Sequence, residues 1–115
     1  MFQNVINTRI ANGAAESRAI DLRETFPSLG LVHIPAWTAA NLAFKVASSL
    51  DGTYAPLRNA SGALVEISGI QTAAPGWYRL PEELNGASFV KMWSETAGSD
   101  VNQGAERAIQ IVGKG

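Results

Sequence analysis

Within residues 37–57, Leu42, Phe44 and Val46 alternate with Ala43, Lys45 and Ala47, the period of a strand with one buried face. Asp51-Gly52 is a turn signal, and residues 54–57 form a short returning run, so the stretch is predicted to be a β-hairpin. A second clear strand lies at residues 88–95, where Val90 and Met92 share one face and Phe89, Lys91, Trp93 and Glu95 the other. If Val90 and Met92 face the core, two large aromatic rings face outward among charges. A last strand at residues 107–112 points Ile109 and Ile111 inward.

The remaining segments are shorter. Residues 2–10 alternate weakly before the Asn12-Gly13 turn signal and are expected to be a flexible arm or an edge strand. Residues 14–26 fit a helical face through Ala15, Ala19, Leu22 and Phe26, and equally fit a strand through Arg18, Ile20 and Leu22. The β character downstream favours the strand. Residues 29–34 form a nearly continuous apolar run closed by Pro35, as expected of a strand buried on both sides or at a sheet edge. Residues 58–62 have loop chemistry, residues 64–67 read as a short strand, and residues 70–76 as irregular or one weak strand. Residues 77–80 are β-like, and Pro81-Glu-Glu-Leu predicts one helical turn before Asn85-Gly86. Residues 97–100 read as a loop. Seven to nine short antiparallel strands with turn signals between them predict an all-β fold, a jelly-roll-like β-sandwich over residues 14–115 preceded by the arm or edge strand of residues 1–13.

The chain's 115 residues suit one core. Nine basic and ten acidic residues are scattered without a basic stripe, which argues against nucleic acid and anionic membranes as partners. There is no cysteine, so disulfides and thiolate chemistry are excluded. No window approaches the ~18 apolar residues of a membrane span, and the first residues lack a secretory pattern, so a soluble protein is expected.

The single histidine, His33, sits in an apolar run and reads as structural, not as a catalytic base. The adjacent Glu82 and Glu83 diverge in either regular structure and make a poor acid/base pair. No phosphate-cradling glycine run, metal-ligand spacing or nucleophile elbow occurs, so neither an enzyme nor a cofactor is expected. Trp37, Tyr54, Trp77, Tyr78 and Trp93 could stack on sugars, or could supply the volume and rim of a small sandwich; the second reading is favoured.

Four segments together resemble a group of small tailed-bacteriophage structural proteins: Pro35-Ala-Trp-Thr leading into a strand, Asp51-Gly-Thr-Tyr, Phe89-Val-Lys-Met-Trp, and Val101-Asn-Gln before the final strand. The resemblance implies a head decoration, or cement, protein on the outside of the capsid, bound to the major capsid protein, forming a homo-oligomer, and held in the host cytoplasm before assembly. It carries no active-site residues. Candidate interface residues are Phe2, Val5 and Ile6 of the arm and Phe89, Lys91 and Trp93 of the two-faced strand. The alternative is a carbohydrate-binding β-sandwich module of a phage fibre or secreted enzyme.

Overall fold

A computed structural model describes residues 3–23 and 28–114. Two antiparallel sheets face each other. The four-stranded sheet has the order β1 (Gln3–Ile10), β10 (Arg107–Lys114), β3 (Ser28–Ile34) and β7 (Gly76–Arg79). In the six-stranded sheet, β8 (Phe89–Thr96) pairs with β4 (Asn41–Ala47) over seven residue pairs. The far side of β4 carries β5 (Ala55–Pro56) and β6 (Glu66–Ile67), and the far side of β8 carries β2 (Ile20–Asp21) and β9 (Ser99–Asp100). With β5 and β6 counted as one interrupted strand and β9 set aside, four strands remain per sheet, in jelly-roll order. The chain changes sheet at almost every connection. Four of the ten strands are two residues long, which accounts for the excess over seven to nine.

The core lies between the sheets and follows the two-residue period. Leu42 and Phe44 meet Val90 and Met92 on one side, and Val32, Ile34, Ile109 and Ile111 close from the other. Each of these large side chains contributes about 1.5–3 kcal/mol on burial. The hairpin lies where the alternation puts it, with Val46 paired to Ala55 and Lys45 to Pro56. Residues 14–23 hold no helix: Ser17 bridges Ile10, Glu16 bridges Trp93, and Ile20 pairs with Val90.

Three expectations need correction. β3 is neither buried on both faces nor at an edge; it lies between β10 and β7, with Val32 and Ile34 inward and Leu31 43% exposed. Residues 70–73 form a single α-helical turn, not a strand, and put Ile70 into the core while the next three residues stay exposed. One buried residue is too little for helical periodicity to be read. Residues 97–100 are not a plain loop: Ala97 and Gly98, both left-handed (φ 53° and 82°), join β8 to β9 as a two-residue hairpin turn. Pro81-Glu-Glu-Leu does form a helical turn, of 3-10 type, over Glu82–Gly86.

Where β3 meets the bulge at Val112 and Gly113, Gly30 is required by contact, because a Cβ there would lie 2.9 Å from the Val112 carbonyl oxygen. Gln103 fastens the far end. Its side-chain oxygen accepts from the Thr38 N–H (2.8 Å) and from Arg107 Nε (3.0 Å), and its Nε2 donates to Ser94 Oγ (2.8 Å) and the Thr38 carbonyl (3.2 Å). Its own backbone joins Gly13 and Ala14. With 1% of its surface exposed, Gln103 ties together the loop before β4, strand β8 and the segment after β1. The Pro-Ala-Trp-Thr and Val-Asn-Gln segments therefore meet through Thr38 and Gln103.

Two stability measurements follow from these contacts. Gln103→Ala strands several buried donors and acceptors and lowers the unfolding free energy by about 2–4 kcal/mol in denaturant melts. Ala97→Gly relieves the left-handed strain and raises it by roughly 0.5–1 kcal/mol.

Candidate interaction surfaces

Each sheet turns one face away from the core, and the two outer faces differ. On the four-stranded sheet, register places Val5, Val112, Leu31 and Arg79 in one row and Asn7, Gln110, His33 and Trp77 in the next. Val5, Leu31 and Trp77 are 46%, 43% and 50% exposed. The His33 ring leans on the Trp77 ring, centroids 4.9 Å apart, and Gln110 Nε2 donates to Asn7 Oδ1 at 3.2 Å. The result is an open, mixed face of three exposed large apolar side chains, a half-buried valine, an imidazole, two amides and a guanidinium. Nothing among the described residues covers it.

On the six-stranded sheet the outer face is filled. Phe89 and Trp93 point outward as their register demands, yet each is only 4% exposed. Trp93 packs with Ala15, Ala43 and Leu64, lies 4.4 Å beneath the Lys45 ammonium, and donates its indole N–H to Asp100 Oδ1 at 2.7 Å. Phe89 lies under the Arg23 guanidinium at 4.7 Å. These side chains offer a partner no apolar surface, and the expectation that they project as an exposed pair is corrected accordingly. Segment 15–17 runs along the free edge of β8, and the residues near Leu64 fold over β4; alternation along β8 alone cannot reveal either.

The lysines on that face are paired. Glu16 bridges Lys45 and Lys91, the latter at 4.0 Å, and Lys91 also sits 4.6 Å over the Tyr54 ring. Tyr54 donates its hydroxyl to the Leu50 carbonyl at 2.9 Å. Lys91 and Tyr54 thus belong to the framework. Of the arm residues, Val5 lies on the open face, Ile6 turns inward against the core, and Phe2 falls outside the described residues.

Sequence reasoning missed Leu31, Val112 and Arg79 as surface residues. The only available signal was the alternation within Leu31-Val-His-Ile34, masked because Leu31 is itself apolar. His33 is half-buried beside Trp77, between Gln110 of β10 and Trp77 of β7. Grooves of about 650 and 900 Å3 run along the two open edges of the sandwich, the first lined by Arg9, Arg18 and Glu106, the second by Glu66, Arg79 and Glu82. No helix among the described residues is long and apolar enough to cross a membrane.

No family model matches this chain, nor does any curated protein or solved structure.

One buried acid stands apart. Glu95 is fully buried; its Oε1 accepts from the Gly98 N–H at 2.9 Å, while Oε2 has no donor. Burial first, then the neighbouring Glu66 carboxylate, raises its pKa from 4.5 to about 7. Folded Glu95 accordingly holds its proton between about pH 4.5 and 7, where an unfolded chain has lost it. This residue's contribution to stability is most favourable below pH 4.5, declines as pH rises to 7, and is level above. In metal-free buffer, Glu95→Gln should be more stable than the wild type at pH 8 by about 2 kcal/mol, the gap closing near pH 4.5, as followed by denaturant melts across that range.

Proposed function

We propose that the protein is a bacteriophage capsid decoration protein, which binds the outside of the assembled head through the outer face of its four-stranded sheet and bridges subunits of the major capsid protein. One observation carries the choice of face: Val5, Leu31 and Trp77 stand exposed on it in two adjacent rows, with Val112 between Val5 and Leu31 and with Arg79, His33 and the Asn7–Gln110 pair among them. Apolar anchors within a polar border are what a protein interface requires, and tryptophan and arginine contribute most to such contacts. The class of partner comes from the resemblance to small tailed-phage structural proteins, since a jelly roll by itself assigns no function. Free in the host cytoplasm, and self-associating into an oligomer, the protein joins the virion once the shell has formed. Binding assembled shell in preference to free subunits stabilises the shell by mass action, and weak contacts repeated over a lattice suffice.

A carbohydrate-binding reading is favoured by one feature of the same face. The half-exposed Trp77 ring has amide, imidazole and guanidinium groups in its own and the adjacent row, the combination that stacks on a sugar and hydrogen-bonds its hydroxyls.

Co-sedimentation with empty heads separates the two. Under the capsid reading the protein pellets with the heads and raises their melting temperature, and a Leu31→Ser/Trp77→Ala double variant binds at least ~10-fold more weakly while its own melting temperature changes little. Absence of binding to heads, together with a glycan-array signal lost on Trp77→Ala, would reverse the choice.

A further inference from the structure

We propose that Asn41, Glu66 and Glu95 form a binding site for a divalent, oxygen-seeking cation, best matched by Ca2+, on the outer face of the six-stranded sheet. Asn41 of β4 and Glu95 of β8 are directly paired across the ladder, so their side chains leave the same face with Cβ atoms about 5 Å apart. Both are more than nine-tenths buried, at 8% and 0% exposure. Asn41 Oδ1 and Glu95 Oε2 are buried acceptors without a donor. Once Glu95 is ionised, above about pH 7, neither oxygen can donate to the other, and both are left as buried acceptors with nothing to accept.

Glu66 adds the second charge. It enters from β6, on the opposite side of β4 and on the same outer face, and its carboxylate acts with burial to raise the Glu95 pKa. Among the described residues neither carboxylate has an ion-pair partner; Lys45 and Lys91, the ammonium groups on this face, are taken by Glu16. Asp100, paired with Glu95 from β9, has one oxygen committed to the Trp93 indole and adds to the negative field. A cation resolves the whole arrangement, because it satisfies two orphaned oxygens and neutralises two adjoining carboxylates in one step.

The donors are all oxygen, two carboxylates and an amide, with no imidazole or thiolate, which suits Ca2+ over Zn2+. Glu66 is exposed, so water completes the shell from that side. Among the described residues no three His, Cys, Asp or Glu side chains gather around one point; the protein supplies two carboxylates and one amide, a low ligand and charge count that belongs with weak Ca2+ sites, Kd about 10⁻⁴–10⁻³ M. A bound ion would join β6, β4 and β8 and fix the turn whose Gly98 N–H already holds Glu95.

The full chain, stripped with a chelator and held at pH 8, is melted with ~10 mM CaCl2 against NaCl of equal ionic strength. The expected result is a rise in melting temperature of about 5 °C with CaCl2, and a smaller one with MgCl2. Glu66→Gln, an exposed change that leaves the fold intact, and Asn41→Ala should each remove most of the rise. Tb3+ provides a direct probe: its luminescence, excited through the neighbouring Trp93, should appear on titration, fall when CaCl2 is added, and be absent from Glu66→Gln. A melting temperature indifferent to CaCl2, a rise of equal size in the wild type and Glu66→Gln, or an equal response to MgCl2 would overturn the proposal.

Discussion

Strand β8 carries large apolar side chains on both of its faces, and the chain has to cover both. The inner face, Val90 and Met92, is covered by the opposing sheet as in any sandwich. The outer face, Phe89 and Trp93, has no third layer among the described residues and is covered with local material: segment 15–17 beside β8, Leu64 beyond β4, and the charged ends of Lys45 and Arg23 over the rings. Much of the irregularity in the fold follows from this. The interrupted strand along the edge of β8, the short β5 and β6, and the tight turn at Ala97-Gly98 all serve to bring side chains over that face.

The same constraint explains why charges on this face are bound up with one another. An ammonium group over an indole must give up some water, and Glu16 compensates Lys45 and Lys91 for that loss. Farther along the face the compensation stops, and Glu95 is left buried beside Glu66. A carboxylate in such a position is expensive unless protonated or matched by a cation. The opposite outer face, over the four-stranded sheet, has no comparable cover among the described residues, and Trp77 is half exposed there.

Much of this architecture was legible in the residues. The period of two at Leu42, Phe44 and Val46, the inward Ile109 and Ile111, and the Asp-Gly turn all give the strands their true faces. What could not be read was which face is covered by distant parts of the chain. Trp93 among charges looks exposed until Ala15 and Leu64, separated from it by tens of residues, are folded over, and Phe89 until Arg23 is laid across its ring. Leu31 looks buried because it sits in an apolar run, though β3 has only one face against the core. The Glu66–Glu95 approach joins strands that are not adjacent in the sheet, and a one-dimensional pattern has no term for that. The two segments quoted for the phage resemblance meet at Gln103 and Thr38, contacts that hold the fold together and carry no chemistry.

The position of the last strand has a consequence for the order of events in synthesis. β10 lies between β1 and β3, so the first strand has no neighbour in its sheet until more than a hundred residues have been made. Closing so long a loop is entropically slow, and the partly folded chain meanwhile carries two unpaired strand edges. The row from Val5 through Val112 to Leu31 is complete only when β10 slots in. Until β10 docks, Leu31, His33, Trp77 and Arg79 share a face on β3 and β7 but Val5 stands apart from them, so the face is assembled in one step with the insertion of that strand.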